Sequence, residues 1–152
     1  MKLDTPYRLG FFALLLTASL LSPPSGWARQ DKIYAETATI ARIISVYDGD
    51  TFRCDLACYP PLVGENIGIR VNGIDTPEMK DRRPEVKALA IKARDYVRKW
   101  FEEAQTVELR NLRRGKYFRI VADVYVDGVS LAERLIELGY AHPYDGGTKQ
   151  KW

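Results

Sequence analysis

The chain has 152 residues, of which 46% are hydrophobic and 28% charged, enough for one domain with a core of its own. Its formal charge is +3, and setting aside residues 1–28, with Lys2 and Arg8 against Asp4, leaves 21 basic and 19 acidic residues, a mild excess that does not by itself establish a nucleic-acid partner. The two cysteines are too few for a structural zinc site, and no repeat or low-complexity segment is present.

Residues 1–28 read as a signal peptide. Lys2 and Arg8 precede an uncharged apolar run over 9–21, followed by the breakers Pro23 and Pro24 and the small residues Gly26 and Ala28. The run falls short of the roughly 20 apolar residues that span a bilayer. Cleavage after Ala28 and export to the periplasm or the medium are therefore expected, with no membrane attachment afterwards, and residues 29–152 form a single domain. Residues 37–46 are rich in β-branched side chains and read as a first strand, Asp48-Gly49 as a turn, and residues 50–54 as the next strand. Asp50 thus stands where a strand begins; taken alone, an acid there is a turn former. Cys54 and Cys58 would lie about 13 Å apart in a straight strand, so a bridge needs a tight turn at residues 55–57. Export favours that bridge, and two free thiols are the alternative. Tyr59-Pro60-Pro61 interrupts regular structure.

The stretch Ile67-Gly68-Ile69-Arg70-Val71-Asn72-Gly73-Ile74 reads as a strand that ends in Asp75-Thr76-Pro77-Glu78. Pro77 fixes its own φ and drives Thr76 from the α region, so the strand must stop in a rigid turn that aims two acids at one spot. Arg70 and Asp75 are five residues apart, on opposite faces of a straight strand. They can share a site only if the chain bends, and Gly73 offers the bend. A cation-binding acid, a second acid free to act as a base and an arginine suited to phosphate together fit hydrolysis of a phosphodiester.

Residues 84–104 carry the clearest helical period, with Val86, Leu89, Ala90, Ala93, Val97, Trp100, Phe101 and Ala104 as the core stripe and Lys87, Lys92, Arg94, Arg98 and Lys99 as the solvated face. Residues 106–110 alternate as a strand, 111–116 form a basic loop, and 117–126 form a long strand ending at Asp127-Gly128. Ser130 with Glu133 makes a capping box for a helix over 131–138 that stops at Gly139. The tail 140–152 has no period; its Lys149-Gln150-Lys151 cluster reads as a solvated face, and His142 as an exposed loop residue. The predicted class is α+β, and five strands with a long helix after the third and a short helix after the fifth match the make-up of an OB-type β-barrel, whose closure the order alone leaves open.

Three segments, Val46-Tyr47-Asp48-Gly49-Asp50-Thr51, Arg70 through Glu78, and Lys116-Tyr117-Phe118-Arg119 with the strand after it, together resemble the staphylococcal nuclease (thermonuclease) family over residues 40–144. The resemblance implies an OB-fold and a monomer that cleaves DNA and RNA, single strands preferred, with calcium, breaking the 5′ P–O bond and leaving 3′-phosphates. It implies that Asp50, Asp75 and the carbonyl of Thr76 bind calcium, with Asp48 close behind. By the same resemblance Glu78 would act as general base or orient the attacking water, and Arg70 and Arg119 would grip the phosphate. Lys116 and Tyr117 would contact a neighbouring phosphate, and Tyr144 would be the candidate for stacking on a base. Where the family usually has Gly between its Tyr and Arg, this chain has Phe118, so the loop that aims Arg119 is expected to differ. No counterpart of the family's third helix is expected within residues 140–152. The alternative function is a non-catalytic OB module for single-stranded nucleic acid or a protein partner. Such a module needs basic and aromatic residues but not Asp50, Asp75 and Glu78 beside two arginines.

Overall fold

The structure, a computed structural model, describes residues 33–152, with side chains from residue 37; the expected signal peptide at 1–28 lies outside the described residues. Strand β1 (Ile33–Val46) is the longest, four residues longer at its start than the sequence pattern suggests, and it serves two partners. Its first half pairs antiparallel with β5 (Val107–Arg114) and its second half with β2 (Thr51–Leu56). Strand β3 (Ile67–Val71) follows β2, and β6 (Ile120–Val126) follows β5, both antiparallel. The parallel pairing of β3 with β6, Ile69 opposite Ile120 and Val71 opposite Ala122, closes the sheet. The result is a mixed five-stranded barrel of OB type, as expected, with inward-facing residues alternating along each strand.

The barrel interior holds Phe52, Ile69, Val71, Leu109, Ala122, Val124 and Val126, each no more than 1% exposed. Helix α2 (Pro84–Glu103) has Pro84 in its first turn, where a missing N–H costs nothing, and buries Val86, Ala90, Ala93, Val97 and Phe101. Phe101 meets Phe52 edge-on, with ring centroids 4.9 Å apart, which joins the helix stripe to the barrel core. Helix α3 (Leu131–Glu137) is capped by Ser130, whose Oγ accepts from the Glu133 N–H at 3.3 Å, as the capping box predicts. Leu131 and Leu135 bury its inner face. Among the described residues no helix is long and apolar enough to cross a membrane.

Several details depart from the sequence reading. A one-turn helix α1 (Pro61–Gly64) forms after Pro60, because Pro61 sits at the first helical position, where proline is tolerated. Strand β5 runs on to Arg114 through most of the expected basic loop; a bulge absorbs Asn111, which takes a φ of 54° and donates from Nδ2 to Asp123 Oδ2 at 2.7 Å. Strand β6 starts at Ile120 and not at residue 117. Cys54 and Cys58 are both free: Cys54 points into the barrel from β2, fully buried, while Cys58 is exposed in the turn after it. The tail is also more ordered than its composition suggests. Its two-residue strand β8 (His142–Pro143) pairs with β4 (Ile74–Asp75), setting His142 opposite Asp75.

Candidate functional site

The turn between β1 and β2 builds one wall. The Asp50 N–H donates to Asp48 Oδ1 at 3.1 Å, closing the Asp-Gly-Asp turn on itself. Gly49 must be glycine for space: a Cβ there would stand 2.8 Å from Thr76 Cγ2 and 3.1 Å from Ala93 Cβ. The turn therefore packs directly against both the Asp75–Thr76 segment and α2. Asp50 is buried, and its carboxylate is fully engaged. Oδ2 accepts from the Thr76 N–H at 2.9 Å and from Thr76 Oγ1 at 3.0 Å, and Oδ1 accepts from Thr51 Oγ1 at 2.9 Å and from the Arg70 guanidinium.

The bend after β3 builds the second wall. Gly73 takes a φ of +79°, so the chain reverses between Arg70 and Asp75 as the five-residue spacing requires. Arg70 then reaches both acids with one guanidinium. Nη1 bonds Asp50 Oδ1, and Nη2 lies 3.2 Å from both the Ile74 carbonyl and Asp75 Oδ1. Pro77 is buried and fixes the turn, leaving Glu78 exposed at its end.

The third wall is the hairpin from β5 to β6. Gly115 N–H donates to the Arg119 carbonyl at 2.8 Å and Arg119 N–H to the Lys116 carbonyl at 3.2 Å. Within it, Tyr117 and Phe118 both adopt left-handed backbone, with φ of 57° and 60°. Phe118, which stands where the family usually has Gly, thus takes a left-handed φ that its Cβ makes unfavourable but not inaccessible. The stem of Arg119 runs across Gly68 of β3, whose Cβ, if added, would meet Arg119 Cγ at 3.1 Å.

These walls enclose an open cleft of about 660 Å³ lined by Asp48, Arg70, Glu78, Lys116, Arg119 and Tyr144, among others. Asp50, Asp75 and Thr76 lie buried against it. Of the candidate site residues, Tyr117 stands apart: it is 86% exposed and not part of the lining, and its ring centroid lies 5.9 Å from the Arg119 guanidinium carbon. The sequence reading missed Lys149. Its Nζ lies 2.8 Å from both Asp75 Oδ1 and Glu78 Oε1, tying the two acids together from the tail. The lysine cluster was visible, but the β8–β4 pairing that carries it to the site joins residues some 70 positions apart and leaves no local signal. His142, in turn, stacks on Trp152 with ring centroids 3.9 Å apart, and the Trp152 carbonyl accepts from Arg83 at 2.6 Å, so both ends of the tail are tied down.

Acids and bases are interleaved here. Asp48, Asp50, Asp75 and Glu78 face Arg70 and Lys149, and Arg53, Lys116 and Arg119 also line the cleft. Burial, followed by repulsion from Asp50, pushes Asp48 up to about 7. Burial also raises Asp50, opposed by Arg70 and by the Thr76 N–H. Burial opposes the charge on Lys149, but its carboxylate partners outweigh it and hold the ammonium above its usual range. Among the described residues no three His, Cys, Asp or Glu side chains form a complete metal cage. What the protein offers instead is a pair of carboxylates reached by one guanidinium, with Glu78 and Asp48 close by. Such a hard, oxygen-only donor set suits a divalent cation that keeps several waters.

The barrel and the acid–arginine cluster at its mouth define a class of small OB-type domains with an open polar cleft beside the barrel. The family described as Staphylococcal nuclease homologue matches residues 68–151, more than half of the chain, and the chain belongs to that family. The match takes in Arg70 to Glu78, Lys116 to Arg119, Tyr144 and Lys149, whereas Asp48 and Asp50 precede it.

Proposed function

We propose that this protein is an exported, calcium-dependent nuclease that hydrolyses the phosphodiester bonds of DNA and RNA, single strands preferred, leaving 3′-phosphate ends. Membership of the family supports nucleic-acid interaction in general. The observation that carries the finer reading is the convergence of Asp50 and Asp75 on the one guanidinium of Arg70. Binding alone requires no buried acid pair, and burying one is costly.

Asp50, Asp75 and the carbonyl of Thr76 would hold calcium, which when bound supplies positive charge to the phosphate and lowers the proton affinity of a bound water. Arg70 already sits between the two acids and can turn its outer edge to a phosphate oxygen. Arg119 enters from the opposite wall, so two planar forks are available for the charge that grows on the equatorial oxygens as water attacks. Glu78 is exposed at the cleft edge, where its carboxylate can take the proton of the attacking water or orient it. Lys116 lines the same cleft and suits a neighbouring phosphate, and Tyr144 suits a base. Lys149 holds Asp75 and Glu78 together while no other cation is present, and it is the group that must give way at Asp75 when both acids are used.

The test is incubation of the protein with heat-denatured DNA, in calcium or in a calcium chelator. Cleavage in calcium that stops on chelation is the expected result. Cleavage that survives chelation removes this mechanism, and binding without cleavage in calcium favours the non-catalytic OB module.

A further inference from the structure

The hairpin between β5 and β6 carries a feature that phosphate binding does not explain. Phe118 is 83% exposed at its tip, beside the equally bare Tyr117. A large aromatic ring in water forgoes its burial energy. Its backbone is also strained: φ of 60° is left-handed, a region that a bulky residue adopts at a cost and that clusters where function holds it. Strain and exposure therefore fall on the same residue, at a position where glycine would suffer neither. The ring is not loose, because the Arg114 guanidinium carbon sits 4.7 Å from its centroid and covers one face. Arg114 is in turn held at the end of β5, opposite Ile120 of β6.

We propose that Phe118, braced by Arg114, is a stacking step for a nucleobase of a single strand, one nucleotide beyond the phosphate gripped by Arg119. The proposal rests on the reading of the cleft as a nucleic-acid site. Lys116 and Arg119, on either side of the aromatic pair, line that cleft, so a strand whose phosphate lies between them passes the tip of the hairpin. Rings and guanidinium planes are the groups on which unpaired bases stack, whatever their sequence. The charge around the ring also selects the partner. Arg114, Lys116 and Arg119 in one short hairpin suit a polyanion with flat bases better than an apolar protein surface or the acyl region of a bilayer.

Equilibrium binding separates these partners. A fluorescent dT8 oligonucleotide and an eight-unit abasic strand of equal charge are titrated with the full protein in chelator at low salt. Phe118→Ala is expected to weaken dT8 binding about 5- to 150-fold and to leave the abasic strand unchanged. Phe118→Trp should bind dT8 at least as tightly as the native chain. Phe118→Gly should weaken dT8 binding while raising the melting temperature, since glycine accepts the left-handed φ without strain. The proposal is overturned if Phe118→Ala binds dT8 like the native chain, if both strands weaken equally, or if the native chain does not bind dT8. Loss of binding to anionic phospholipid vesicles with dT8 binding intact would overturn it in favour of a membrane tip. Because binding is read in chelator, a protein that never cuts DNA still passes or fails, and the two readings fall separately.

Discussion

The floor of the cleft and its hairpin rim are built on opposite terms. The floor is buried, with Asp50 and Asp75 held by Thr76, Thr51 and Arg70 inside the barrel mouth, so its groups are in position before any ligand arrives. The rim is a strained, solvent-exposed turn in which Lys116, Tyr117 and Phe118 stand free of the core. A floor of this kind is preorganised for charge stabilisation, which needs fixed dipoles and charges. On the proposed reading, a rim of this kind meets a long, flexible substrate whose bases vary. The difference teaches that fold and chemistry share residues on the floor and are separable at the rim.

Arg70→Ala should give the largest effect. Turnover is expected to fall by about 10²–10³ or more, and unfolding in denaturant should show a loss of about 3–5 kcal/mol, because Asp50 and Asp75 are left buried without their partner. A variant that lost activity at native stability would break the contrast between floor and rim. Arg119→Ala should also lower the rate by about 10²–10³, with stability changed by no more than about 0.5 kcal/mol. Near-normal turnover in either variant would remove the phosphate assignment.

Lys149→Gln sharpens the comparison from the tail. The ammonium shares Asp75 and Glu78, and with its charge removed calcium should bind about two- to fivefold more tightly, read by calorimetry. Unchanged or weaker calcium binding would mean that Lys149 does not compete for the acids. The smallest effect concerns the thiols. Burial pushes Cys54 up to about 12, so at pH 8 it is protonated and shielded. One thiol, Cys58, should react with a disulfide reagent in the native protein, and two only in denaturant. Zero thiols in denaturant would establish the bridge that the structure lacks.

Much of the fold was legible because its determinants are local. The apolar period of α2, the Ser130–Glu133 cap and the Asp127-Gly128 turn each act within a few residues; the closed barrel came from the family resemblance, because the β3–β6 pairing that closes it joins segments about 51 residues apart. The Arg70–Asp75 encounter was legible for the same reason, since Gly73 alone decides whether an odd spacing can converge. Lys149 was not legible, because it reaches the acids through a strand pairing between distant segments. Phe118 is the second case. Its residue type signalled that the loop aiming Arg119 would depart from a glycine's path, but not which conformation it takes; the closed hairpin, with Gly115 and Arg119 bonded across it, holds it left-handed. The free cysteines are the third case: composition and export favoured a bridge, but strand alternation turns Cys54 into the barrel, away from the turn that carries Cys58.

The central claim is that Asp50 and Asp75, brought together from two separate β segments, share one divalent cation. Calorimetric titration of calcium into the native protein, Asp50→Asn and Asp75→Asn tests it most directly. One bound calcium in the native chain, lost in both variants while each remains folded, is the predicted result. A variant of either residue that takes up calcium as the native chain does would contradict it.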